Sequence, residues 1–261
     1  MIELNKIYCE NCLDTMAKMP DDFIDLTVTS PPYDNLRDYN GYEFDFESIA
    51  KELFRITKKG GVVVWVVGDA TIKGSETGTS FRQALYFKEI GFNLHDTMIY
   101  AKENPMPAQL DGNRYSNSFE YMFVLCKSNI KTHNLVTTTT TTTTTQAKRY
   151  FYQKDGSKIL STKDTNNKKV IENIWYFGVG YNNNDDKTYH PASYPEKLVL
   201  RHIYSWSNEG DLVYDPFMGS GTTAKAAHLL KRKWIGSEIS QEYVDLANKR
   251  LKKYLDQITL F

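Results

Sequence analysis

Apolar positions follow two periods along the chain, and the two periods alternate. Leu4 to Tyr8 and Asp25 to Thr29 are short apolar runs that read as strands, and Val62 to Val67 is apolar at every position, as in a strand buried on both faces. Between them, Cys12 to Met19 has helical spacing as far as Pro20. Phe46, Ile49, Ala50, Leu53, Phe54 and Thr57 mark one face of a helix that stops at Lys58-Lys59-Gly60-Gly61. Ser80 to Ile90 repeats the helical pattern and closes at Gly91, and Leu94 to Lys102 alternates with polar residues like an edge strand. The pattern resumes near the C-terminus. It predicts a helix over Lys197 to Trp206, a strand over Asp211 to Tyr214, a helix over Thr222 to Leu230, a strand over Trp234 to Ser237 and an amphipathic helix over Gln241 to Leu255. Alternating strands and helices of this kind predict an α/β fold with a parallel sheet.

The segment from 104 to 189 breaks the pattern. Asn, Thr, Lys and Tyr dominate it, and an unbroken threonine run from Thr137 to Thr145 cannot pack a core; it reads as a flexible or extended surface segment. Beyond it come Lys148, Arg149, Lys154, Lys158, Lys163, Lys168 and Lys169, opposed only by Asp155 and Asp164 and interleaved with Tyr150, Phe151 and Tyr152. Aromatic and basic residues mixed in this way suit a nucleic-acid-facing surface, although a solvated loop has the same composition. The organisation expected is therefore one α/β domain in two parts, 1–103 and 190–261, with 104–189 inserted between them.

Composition narrows the class. At 261 residues and 41 % hydrophobic, the chain suffices for one large core with an insertion. Lys plus Arg equal Asp plus Glu at 32 each, so nucleic-acid binding must come from a local basic face rather than from a global field. The three cysteines, Cys9, Cys12 and Cys126, make no disulfide framework, which points to a reducing cytoplasm. Cys9 and Cys12 lack a second ligand pair for zinc, so no metal site is expected. The N-terminus has no signal-peptide core and no apolar run is long enough to span a bilayer, so no membrane partner is expected.

Two constellations carry chemistry. The first is Ser30-Pro31-Pro32-Tyr33, at the end of the second strand. Two prolines fix the backbone and end sheet pairing, which leaves the carbonyls of Ser30 and Pro31 without sheet partners. A hydroxyl, a carbonyl and a ring in this order suit a flat, amino-bearing group such as a nucleobase edge; taken alone, the four residues read more readily as a strand end with a surface tyrosine. The second is Asp215-Pro216-Phe217-Met218-Gly219-Ser220-Gly221-Thr222-Thr223, a glycine turn between a strand and a helix. It has neither the third glycine of a dinucleotide fingerprint nor the lysine of a phosphate-cradling loop. Glu238 ends the next strand, about 20 residues on, where a doubly wound fold hydrogen-bonds ribose hydroxyls. A nucleoside with a cationic amino-acid tail, S-adenosylmethionine, fits both ends of this arrangement. Only residues 239–261 follow Glu238, too few to complete a sheet. The remaining strands must come from the N-terminal half, which places both constellations at the carboxyl ends of one sheet, in one cleft.

These motifs, with Gly60-Gly61-Val62-Val63-Val64-Trp65, His190-Pro191-Ala192-Ser193-Tyr194-Pro195-Glu196-Lys197-Leu198 and Gly236-Ser237-Glu238-Ile239, resemble the DNA amino-methyltransferases in which the catalytic motif precedes the cofactor motif. The resemblance spans both α/β regions. It implies a Rossmann-like sheet with permuted motif order, a target-recognition insertion at 104–189 and S-adenosylmethionine as methyl donor. It implies donor contacts from Asn11, Thr29, His190, Pro191, Asp215, Pro216, Phe217, Gly219, Ser220, Gly221, Thr222, Glu238 and Ile239, and catalysis by Ser30, Pro31, Pro32 and Tyr33. One departure concerns Asn11: the family has Gly-Asp before Cys-Leu, whereas Glu10-Asn11 precedes Cys12-Leu13 here, and Asn11 can still hydrogen-bond an adenine edge. Arg37, Tyr39, Lys102, Arg114, Lys148 and Arg149 are candidate contacts to double-stranded DNA. Serine at the first motif position favours cytosine N4 as the target, with adenine N6 the alternative. RNA or protein-glutamine methylation and non-catalytic DNA binding are the more distant readings. A prokaryotic or phage-encoded protein is implied, as a monomer or homodimer, with a restriction endonuclease as potential cognate partner.

Overall fold

The computed structural model describes residues 2–32, 44–108, 110, 112–139, 146–153, 155, 157–164, 168–179 and 195–255. They divide into two compact units, the first built from 1–134 and 173–261 and the second from 135–172.

The first unit is a sheet with helices on both faces. Its strands are β1 (Lys6–Cys9), β2 (Ile24–Thr29), β3 (Thr57–Val67), β6 (Asn93–Lys102), β7 (Phe119–Cys126), β12 (Ile174–Phe177), β13 (Leu212–Asp215) and β14 (Lys233–Glu238), with a minor β4–β5 pair at Thr71–Ile72 and Ser75–Glu76. The order across the sheet is β1-β14-β13-β2-β3-β7-β6-β12. Every neighbouring pair is parallel except those of β7, which is antiparallel to both β3 and β6. This is a Rossmann-like α/β architecture, and β13 and β14 insert between β1 and β2. The continuous apolar run of β3 is explained by its place: Val62 to Val67 are each at most 1 % exposed, buried on both faces.

The helices are α1 (Cys12–Ala17), α2 (Phe46–Ile56), α3 (Thr79–Glu89), α4 (Glu196–Trp206), α5 (Thr222–Leu229) and α6 (Gln241–Leu255). One core cluster joins Met16 of α1, Ile49 and Leu53 of α2 and Phe87 of α3 to Val63, Trp65, Tyr214 and Ile235 of the sheet. Helices α4, α5 and α6 pack in sequence against one another, with Leu198, Val199, Ile203, Ala224, Ala227, Val244 and Leu251 buried. Start signals match the sequence: Asn11 caps α1 by accepting from Leu13 N at 2.9 Å, and Asp45 caps α2 by accepting from Ser48 N at 3.2 Å.

Two expectations are revised. The strand at Asn93–Lys102 is not at an edge, because β12 pairs with it in parallel from Ile174↔Ile99 to Phe177↔Lys102. Its polar alternation comes from covering one face only lightly, not from an unpaired side. The segment 104–189 is not inserted as a whole either, since Phe119–Cys126 and Ile174–Phe177 are strands of the central sheet. The separate unit is narrower. Within it, β8 (Thr137–Thr139) pairs antiparallel with β11 (Lys168–Val170), and β9 (Gln146–Tyr152) pairs antiparallel with β10 (Lys158–Asp164) in continuous register. The first three threonines of the run are thus an exposed strand.

Candidate active site

Strands β2, β13 and β14 are parallel and adjacent, so their carboxyl ends lie side by side, and each ends on a residue singled out in the sequence. Thr29 ends β2 and leads into Ser30, Asp215 ends β13 and leads into the glycine turn, and Glu238 ends β14. Ser30 and Pro32 are half-buried and Pro31 is buried.

Asp215 is the junction. Its carboxylate is 1 % exposed. Oδ1 accepts from Thr29 Oγ1 at 2.7 Å and from Phe217 N at 3.0 Å, and Oδ2 accepts from Thr223 Oγ1 at 2.6 Å. Charge-assisted bonds of this kind compensate the burial of the carboxylate. They also fasten the residue before Ser30 to both ends of the glycine turn. Phe217 adds a second fastening, since its ring meets Phe44 edge-on at 5.7 Å between centroids. Phe44 immediately follows residues 33–43, so the stretch that begins at Ser30 is tied to the Asp215 motif at both ends.

The glycine turn is held from two sides. Gly219 takes φ +51° and Gly221 φ +83°, left-handed values that favour glycine. Gly219 N donates to Glu238 Oε2 at 2.9 Å, and Met218 N donates to Ser237 O at 2.9 Å. On the other side α6 lies so close that a Cβ on Gly221 would sit 3.0 Å from Ala247 Cβ. Pro216 and Ser220 are buried, and Thr222 is 3 % exposed in the first turn of α5.

Glu238 is oriented by backbone donors on both oxygens, Gly219 N on Oε2 and Ser240 N at 2.9 Å on Oε1. Burial pushes its carboxyl above the usual glutamate value, and those donors oppose the shift. Each carboxylate oxygen offers about two lone-pair sites. A carboxylate held in this way keeps acceptor capacity toward a hydroxyl-bearing group. Ile239 is 40 % exposed, and its carbonyl receives Cys9 Sγ at 3.9 Å.

Other candidates are placed differently. Asn11 stands half-buried just beyond the carboxyl end of β1, with its side-chain oxygen engaged as the α1 cap. Glu10 is taken by Lys18 at 2.5 Å and Thr15 at 2.8 Å. Lys102 Nζ is held by Glu120 Oε1 at 2.9 Å. Arg114 donates to Gly74 O and lies 3.7 Å from Glu76. Lys148 and Arg149 are neighbours on β9 of the second unit. Tyr33, Arg37, Tyr39, His190 and Pro191 lie outside the described residues.

Sequence reasoning included Thr223 and Glu196 in its motifs without giving them a role, and it missed Arg250 and Lys225 behind the turn. Arg250 Nη1 donates to Thr222 Oγ1 at 3.0 Å. The one sequence signal was an arginine on the apolar stripe Val244, Ala247, Leu251 of α6.

Comparison with known proteins agrees with this geometry. A family model described as DNA methylase, of the N6/N4 type, matches residues 24–249. The orphan methyltransferase M.BamHII of Bacillus amyloliquefaciens is 57 % identical over 241 residues, which is 89 % of this chain and 90 % of that protein. The type II methyltransferase M.BglII of Bacillus subtilis is 27 % identical, over 97 % of this chain and 71 % of its own length. Among solved structures, the cytosine-N4-specific PvuII DNA methyltransferase superposes with a TM-score of 0.72 at 21 % identity, covering 94 % of this chain and 85 % of its own. The M1.HpyAVI–SAM complex superposes at 0.64 and 22 % identity, covering 94 % and 99 %.

Proposed function

The chain belongs to the N6/N4 DNA methylase family, and we propose that it methylates the exocyclic N4 of cytosine in duplex DNA, with S-adenosylmethionine as methyl donor. The observation that carries this reading is the Asp215 junction, which holds the Ser30 loop and the glycine turn at neighbouring strand ends.

The donor, when bound, supplies an electrophilic methyl group on a sulfonium. Glu238 would hold the ribose hydroxyls, the turn Gly219–Thr222 would take the amino-acid tail, and Asn11 would meet the adenine edge. Pro216, Phe217 and Ile239 would add further contacts, and the family resemblance assigns His190 and Pro191 to the same donor. Ser30 and Pro31 act on the target base. An exocyclic amino group is a poor nucleophile because its lone pair is delocalised into the ring. The Ser30 hydroxyl and the Pro31 carbonyl accept its two hydrogens, which favours a pyramidal nitrogen and builds electron density on it. Pro32 fixes the loop, and Tyr33 stacks on the base once it has left the duplex. Catalysis is thus positioning and electrostatics, with no covalent enzyme intermediate.

Serine at position 30 favours cytosine, because the family pairs serine there with N4 transfer and Asp or Asn with N6 transfer. A hydroxyl that only accepts from an amino group serves adenine as well. Incubating the protein with unmethylated duplex DNA and tritiated donor, then weighing the product nucleosides, tests the reading. N4-methylcytosine supports it, N6-methyladenine transfers the function to the alternative base, and label in RNA or protein but not in DNA overturns it.

A further inference from the structure

Helices α4, α5 and α6 each bury one charged side chain behind the glycine turn. Glu196, Lys225 and Arg250 have side chains 5 %, 1 % and 3 % exposed. Glu196 Oε2 receives both cations, Lys225 Nζ at 2.9 Å and Arg250 Nη2 at 3.1 Å. Arg250 then reaches the turn with its other nitrogen. Nη1 lies 3.0 Å from Thr222 Oγ1 and 3.3 Å from the carbonyl oxygen of Ser220. Lys225 Nζ stands 4.3 Å from the centroid of the Tyr254 ring, which binds α5 to the last turn of α6.

Stability does not account for this cluster. Desolvating three charged groups costs several kcal/mol each, and well-packed apolar replacements of such clusters are commonly neutral or stabilising. What apolar replacements would lack is direction. A guanidinium presents donors in a rigid fork, and here one branch is anchored on Glu196 while the other fixes a main-chain carbonyl of the turn. Beside it, Ala247 of the same helix closes on Gly221. The turn is therefore clamped between Glu238 on β14 and Arg250 on α6.

We infer that Arg250, anchored by Glu196 and Lys225, is a positioning residue that sets the Ser220–Thr222 backbone for the methyl donor. The inference rests on the donor site proposed above.

Donor affinity by titration calorimetry, duplex-DNA affinity by fluorescence anisotropy and thermal unfolding on the full-length protein test it. Arg250→Met weakens donor binding by about 10–100-fold, the worth of a lost charge-assisted hydrogen bond, while DNA affinity is unmoved. Arg250→Lys restores part of the loss, because an ammonium can reach the turn but cannot also hold Glu196. Should Arg250→Met fail to fold, the triple variant Glu196→Met, Lys225→Met, Arg250→Met removes all three charges together. It folds and binds donor as weakly as the single variant is expected to. Donor affinity equal to wild type in either folded variant overturns the inference. Wild-type protein that binds no donor overturns the donor site itself, and the inference with it.

Discussion

Asp215 keeps a formal negative charge at 1 % exposure because Thr29, Thr223 and Phe217 N deliver three donors to it. Thr29→Val leaves Oδ1 without its side-chain donor inside the protein. Urea unfolding is expected to show a loss of about 1.5–3 kcal/mol, the scale for a hydrogen bond to a charged group, and donor binding weakens with it because the Ser30 loop is released. Glu238 gives a pH signature. Its raised pKa means that the carboxylate acquires a proton at a pH above the ordinary glutamate value of 4.5. A protonated carboxyl has less acceptor capacity for hydroxyls, so the donor dissociation constant rises on the acid side earlier than for an ordinary glutamate. Glu238→Gln is expected to flatten that profile in a calorimetric pH series. In the fold itself the sign is opposite: the native state holds this proton more tightly than the unfolded chain, so Glu238 withdraws stability as pH rises from 4.5 through its raised pKa. Residue-level chemistry was legible where it is short-range, as in the glycine turn and the acid at the next strand end. Partners far apart in the chain were not. Thr29 and Asp215 are 186 residues apart, and no spacing rule joins them.

At the scale of elements, the helices and the strands β2, β3, β13 and β14 were legible because each carries its own period, whereas the buried strand β7 was passed over. β3 is apolar from Val62 to Val67, and α2 shows one apolar face. β12 was not legible, since Ile174–Phe177 has only four residues in a polar stretch and exposes alternate ones. Its worth lies in what it covers. Trp175 is 5 % exposed, and its ring lies 4.7 Å from that of His202. Burial among these rings holds the His202 imidazole neutral, with its pKa lowered to about 3. Trp175→Ala removes that cover, and a loss of about 3–5 kcal/mol in chemical denaturation is expected, as for other large aromatic truncations.

For the whole molecule, the division that matters is between the sheet and residues 135–172. Replacing 135–172 by a short Gly/Ser linker is expected to leave a folded protein that binds the methyl donor and no longer methylates DNA. Removing 104–189 instead deletes β7 and β12 from the sheet, and circular dichroism is expected to report an unfolded chain. Sequence composition located the anomalous region but set its limits too wide, because the polar residues around Phe119–Cys126 and Ile174–Phe177 outweigh these two short apolar strands. The strand order carries one more consequence, for synthesis on the ribosome. β1, β2 and β3 emerge first, yet β13 and β14 belong between β1 and β2. Throughout most of translation, the nascent chain therefore exposes the apolar flank of β2 with nothing to pair it. The sheet closes only when residues 212–238 have left the exit tunnel, so this fold is completed after, and not during, elongation of its N-terminal half.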